Sequence, residues 1–169
     1  MLPAAAIFTL ALFAVAPVAA QRRDFLTSVE ADKIRETMGN HSLRIRLFLS
    51  FAEDRMKKFN YELASPGPDK RRGERLRMLM VGYTACVDDA AAVVSLGVEK
   101  QQDIATGAKE MQPRLRDFLN WLERLAATGA ERQLYADALE DATDGTKEAM
   151  QTVEKALKEM APPPVRRRP

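Results

Sequence analysis

Four acidic residues in the C-terminal third of the chain are spaced so that they could act together. Asp137, Asp141, Asp144 and Glu148 recur every three or four residues, which places them on one face of an α-helix. Like charges at this spacing repel one another. Because Ca²⁺ needs six or more oxygen ligands, usually from a loop, a straight helix cannot turn these carboxylates onto one ion. We interpret the row as a solvated acidic face, and a docking strip for a basic partner is the functional alternative.

A cluster of basic residues surrounds the clearest break in the chain. Two prolines and a glycine between Ser65 and Asp69 cannot continue a helix. The cationic residues on either side of this break form a local basic corner: Lys57, Lys58, Lys70, Arg71, Arg72 and Arg75. The corner is interpreted as a solvated helix end, and its functional alternative is a contact for an anion or for a partner protein.

The residues most often used in catalysis and metal binding are scarce. The chain has one histidine, His41, and one cysteine, Cys86, which excludes metal sites built on His or Cys pairs within one chain. Cys86 falls in an apolar column, so we expect a buried, inert thiol. Neither a glycine-rich phosphate loop nor a Gly-x-Ser-x-Gly or His-Glu-x-x-His motif occurs. We therefore predict a non-enzymatic protein without a cofactor.

The N-terminal residues have the pattern of a secretory signal peptide. Residues 1–20 carry no charged side chain, and the small residues Val18 and Ala20 occupy the positions that precede a cleavage site. We predict cleavage after Ala20 and an exported protein, periplasmic or secreted. The alternative is an uncleaved membrane anchor, although the apolar run is short for a span of about 20 residues.

The other end of the chain is rich in proline and arginine. Residues 162–169 are predicted to form a flexible tail, because consecutive prolines stop a helix and favour an extended conformation. Its arginines, Arg166, Arg167 and Arg168, are a candidate tether to anionic lipid or to another acidic surface.

The element that must position these groups is a long apolar repeat between Lys70 and Thr128. Apolar residues recur there at alternating intervals of four and three, the pattern of a coiled-coil face. The repeat weakens at Gly97 and Gln101, which leaves two architectures open. If the chain turns there, two helices result; if it does not, a single long helix continues and is kinked at Pro113.

Shorter patterns place the remaining helices. They are predicted over residues 28–38, 42–64 and 131–160, and the first begins with a capping box formed by Thr27 and Glu30. Residues 21–161 are therefore predicted to form one all-α domain. We expect an antiparallel bundle of about four long helices with a short N-terminal helix.

Composition and charge narrow the kind of function. Lys and Arg total 26 and Asp and Glu total 24, so no global charge favours specific nucleic-acid binding. We predict a protein that acts by interaction with another protein or with an anionic surface in the cell envelope. The alternative is a bundle that holds a small apolar ligand between helices near Tyr83, Cys86 and Met111. The small residues between Met78 and Val98 leave open whether that segment is surrounded by its own bundle or by a second copy in a homodimer.

Overall fold

The computed structural model of the protein describes residues 25–65, 67 and 69–160. The described residues form helices and no strand, so the prediction of an all-α bundle is confirmed. The predicted signal peptide, residues 1–20, and the predicted tail, residues 162–169, lie outside them. The α-helices, in chain order, are α1 Ser28–Glu36, α2 His41–Ala64, α3 Arg72–Glu99, α4 Ala105–Thr128 and α5 Ala136–Glu159.

The four long helices surround a common core, and α1 lies against α2. α3 packs between α2 and α5, and α4 packs against the same two helices from the other side. Consecutive long helices run in opposite directions. α2 and α4 run in the same direction, as shown by side-chain contacts that progress together along both helices, Arg46 with Glu110 and then Asn60 with Trp121. The apolar residues of α2, among them Ile45, Leu49 and Phe59, are thereby buried against two long neighbours.

The long apolar repeat is broken into two helices, α3 and α4, so the continuous-helix alternative is wrong. The turn follows Glu99, and Gln101 adopts the left-handed conformation with a φ of 53°. Gly97 leaves room for this turn, because a Cβ atom there would lie 2.3 Å from Cγ2 of the fully buried Ile104. The point at which the repeat weakens is therefore the point at which the chain folds back.

The first two helices begin with side-chain caps, and the cap of α1 is the predicted one. Thr27 and Glu30 form the expected capping box, and the Asn40 side chain accepts a hydrogen bond of 2.9 Å from the Leu43 amide at the start of α2. The last helix begins later than predicted. Glu131 has a φ of 50°, and a short 3-10 turn follows before α5 begins.

α4 runs through Pro113 as one helix, and Pro113 lies on the exposed side of that helix.

α3 is long and apolar enough, by length and composition alone, to cross a membrane. In this fold it is the core helix, since it packs between α2 and α5.

Aromatic rings fill the half of the core in which α2 ends. The Phe59 ring meets the rings of Trp121 and Tyr135 edge to face, with centroids 5.7 and 5.0 Å apart. The Trp121 indole N–H donates to the Asn60 side chain at 3.1 Å, which satisfies its polar atom at the edge of the core. Tyr83 lies deeper in the core, where its hydroxyl oxygen is 2.8 Å from the Thr146 hydroxyl oxygen.

We expect Gly97→Ala to destabilise the protein by about 1–2 kcal/mol, because the added methyl group collides with buried Ile104 and this cost exceeds the gain in helix propensity. Gly82→Ala is the matched control in the same helix, since the nearest side-chain atoms would lie 3.6 Å away. That variant should be unchanged or more stable by up to about 1 kcal/mol. Urea denaturation measures both. Equal effects of the two substitutions would contradict this account of the turn.

Candidate functional site

A buried ion pair fixes α1 on the bundle. The side chain of Arg55 on α2 is only 8% exposed. Its guanidinium donates to the Glu30 carboxylate at 2.7 Å and to the Phe25 carbonyl at 2.9 Å. Glu30 also accepts a hydrogen bond of 2.8 Å from the Thr27 amide. One carboxylate therefore caps α1 and holds it on α2.

The pKa of Glu30 reflects these contacts. Burial alone would raise the pKa of this carboxyl, but the hydrogen bonds from Arg55 and Thr27 outweigh burial and lower the pKa to about 2. The hydrogen bond to Glu30 in turn raises the pKa of Arg55. Both groups are thus charged at neutral pH. Neither charge could be buried without the opposite charge of its partner.

An open groove of about 610 Å³ begins where α1 begins and runs along the seam between α2 and α3. We call it the α2–α3 groove and define it by the side chains that form its walls and rim: Lys57, Lys58 and Tyr61 from α2, and Arg75, Met78 and Leu79 from α3. Phe25 and Arg55 line its end near α1. The floor lies against Gly82, whose missing side chain deepens the groove.

The walls of the groove carry apolar surface that the fold does not bury. Tyr61 is 74% exposed and Met78 is 54% exposed. Exposed single apolar residues are common on proteins, but these two face one groove together with partly buried Leu79. Among the lining residues four are cationic and one, Glu62, is anionic. The groove therefore combines an apolar floor with a basic rim.

The structure divides the predicted basic corner into internal and outward-facing residues. Arg72 is 5% exposed; it donates to the Leu63 carbonyl at the end of α2 and pairs with Glu131. It therefore joins three segments of the fold and is not accessible to a partner. Hydrogen bonds to Glu62 and Asp69 raise the pKa of Arg75, which is half-exposed.

The remaining residues of the corner are exposed. Lys58 pairs with Asp54 one turn earlier, at 2.6 Å. Lys57, Lys70 and Arg71 make no ion pair with any residue in the described part of the chain. Lys57 and Lys58 line the α2–α3 groove, whereas Lys70 and Arg71 lie in the turn before α3.

The predicted acidic row lies on the exposed side of α5. Asp137, Asp141, Asp144 and Glu148 are all exposed there, and Asp144 contacts Lys147 at 3.6 Å. Within the described ranges no group of three or more His, Cys, Asp and Glu side chains could hold a metal ion. The row therefore stays a predicted docking strip, and Arg166, Arg167 and Arg168 lie outside the described residues.

The residues proposed to surround an apolar ligand are packed in the core. Tyr83, Cys86 and Met111 are each at most 1% exposed and belong to one core cluster. Burial raises the pKa of the Cys86 thiol to about 12, so the thiol is protonated at neutral pH and is a weak nucleophile. His41 lies at the first turn of α2. The α2–α3 groove is lined by other residues.

Comparisons of the chain with family models, with curated proteins and with solved structures found no match.

We expect Glu30→Gln to release α1, with a cost of about 3 kcal/mol, because it leaves the Arg55 charge buried without its main partner. Glutamine can still cap the helix, so the substitution isolates the charge. Hydrogen exchange of the α1 amides at pH 7 measures the loss. Glu36→Gln, at an exposed site of the same helix, is the control and should leave α1 protected.

Acid should have the same effect on the unmodified protein. The unfolded chain binds a proton at Glu30 near its ordinary pKa of 4.5, whereas the folded chain does so only near pH 2. The stabilisation by Glu30 is thus complete above pH 4.5 and is lost as the pH falls towards 2. Protection of α1 that is equal at pH 6 and pH 2.5, or that falls equally in Glu30→Gln, would contradict the assignment.

Proposed function

We propose that this chain is an exported, non-enzymatic protein that acts by binding a partner in the cell envelope, and that the α2–α3 groove is its binding surface. The observation that carries the proposal is the combination of exposed Tyr61 and Met78 with a basic rim in one concave seam. Concave surfaces with an apolar floor and a few placed polar groups are typical of binding sites.

The charge distribution supports the same surface. Arg72 and Arg75 of the basic corner are paired within the fold, and Lys70 and Arg71 lie in the turn before α3, so the cations left at the groove itself are Lys57 and Lys58. Positive charge around a groove accelerates the capture of an anionic partner and disfavours a cationic one. The proposal of export rests on the pattern of residues 1–20 alone.

The non-enzymatic part of the proposal rests on the burial of the side chains that could act as nucleophiles. Cys86 is buried with a raised pKa, and the Tyr83 hydroxyl is buried against Thr146. Both lie in the core, whereas the open groove presents lysines, arginines, apolar side chains and one carboxylate, Glu62, which is engaged by Arg75. These groups favour binding over nucleophilic catalysis.

A second candidate function is the binding of a small amphiphilic ligand. The groove volume of about 610 Å³ lies within the range of about 300–1,000 Å³ that small-molecule sites occupy. We therefore propose the seam between α2 and α3 for such a ligand, in place of the packed core around Tyr83, Cys86 and Met111.

Site-specific photo-crosslinking in the native host tests the proposal. A photoreactive amino acid at Tyr61 should give a discrete adduct, whereas the same group at exposed Glu123 on α4 should give none. The adduct should disappear when Lys57→Glu and Lys58→Glu reverse the charge of the rim. Adducts at both positions, or an adduct that the charge reversal does not change, would contradict a role for the groove.

A further inference from the structure

We infer that the partner of the α2–α3 groove is an amphipathic helix that carries acidic residues beside its apolar face. The inference rests on the function proposed above and names the kind of partner for the same surface. Three features support it: the way the chain docks its own helix α1, the shape of the groove and the charges on its rim.

The fold already contains one contact of this kind. α1 lies along α2 without burying any of its residues completely. Leu26 and Ile34 pack against the core, and Arg55 receives the Glu30 carboxylate. A short helix with one apolar residue on the core and one acidic residue is thus held on α2 by an arginine. The groove continues along α2 from the point where this contact ends.

The dimensions of the groove match two turns of a docked helix. Its α2 wall extends from Arg55 to Glu62, a length of about 10 Å at 1.5 Å per residue. Tyr61 and Met78 stand on opposite walls, and Gly82 leaves the floor low between them. Apolar side chains of a helix, spaced three and four residues apart, can enter such a seam.

The rim determines the charge of the partner. Lys57 and Lys58 stand on one wall, whereas Arg75 on the other wall is engaged by two carboxylates and leaves little charge for a partner. The Lys58–Asp54 pair is exposed and therefore weak, so Lys58 can exchange this partner for an acidic residue of the docked helix. Glu62 is engaged by Arg75 and adds little repulsion.

The concave shape favours a helix over a lipid surface. A flat membrane reaches protruding side chains such as Tyr61, but it does not reach Leu79 and Gly82 at the floor of the seam. A docked helix can place side chains both against the protruding walls and on the floor of the seam, which buries more apolar area for the same footprint. Binding to a membrane or to a free anionic amphiphile, in place of a helix, would therefore count against the inference.

The probe is a synthetic stapled helix of about three turns, with leucines three and four residues apart and glutamates on both flanks. Stapling removes the cost of ordering the peptide. We expect saturable binding, with NMR shift changes at Tyr61, Met78 and Leu79. Lys57→Glu combined with Lys58→Glu should weaken binding by about tenfold or more. Lys155→Glu combined with Lys158→Glu, on the exposed side of α5, applies the same change in net charge and should leave binding intact.

A second peptide with lysine in place of every glutamate should not bind. Absence of saturable binding by the acidic peptide, equal binding of both peptides, or shift changes outside the groove would overturn the inference. Binding of phosphatidylglycerol vesicles or of laurate, without peptide binding, would also overturn it. In that case a crosslink at Tyr61 that depends on Lys57 and Lys58 would leave the proposed function standing. Loss of that crosslink would remove both proposals.

Discussion

The structure depends on the rule that a buried charge must be paired. Among the residues that the structure describes, two guanidinium groups are buried, those of Arg55 and Arg72. Arg55 joins α1 to α2 through Glu30, and Arg72 joins the end of α2, the start of α3 and the segment before α5 through Glu131. Each pair costs desolvation and adds little net stability, but the loss of one partner is expensive. The pairs therefore determine where helix ends lie more than they strengthen the core.

This rule explains how the candidate site is formed. Because Arg55 holds α1 at one point along α2, the seam between α2 and α3 is left uncovered beyond it. Because the Arg72 side chain points into the fold, fewer cationic side chains of the basic corner are accessible to a partner than its sequence suggests. What remains at the seam between α2 and α3 is a short apolar groove with Lys57 and Lys58 on its rim. Packing within the bundle has thus selected the residues that a partner can reach.

The helices were predictable because apolar periodicity reports burial directly. The turn between α3 and α4 was not, since an interruption at Gly97 and Gln101 fits either a turn or a helix, and only the packing of Ile104 on Gly97 decides between them. The site was only partly predictable. Lys57 and Lys58 stand in the predicted basic corner, but the partners of Arg55 and Arg72 are distant in sequence. Arg55 lies four residues from both Phe51 and Phe59, which are buried, and this charge within an apolar column was the one available signal of the ion pair.

Lysine footprinting in intact cells tests the central claim, that the α2–α3 groove is the occupied surface, without altering the protein. An amine-reactive reagent is applied to cells and, separately, to the purified protein, and modification is read by mass spectrometry. The account predicts that Lys57 and Lys58 react in the purified protein and are protected in cells, while Lys155, which is 80% exposed on α5, reacts equally in both. Lys57 and Lys58 that react in cells as they do in the purified protein would contradict it.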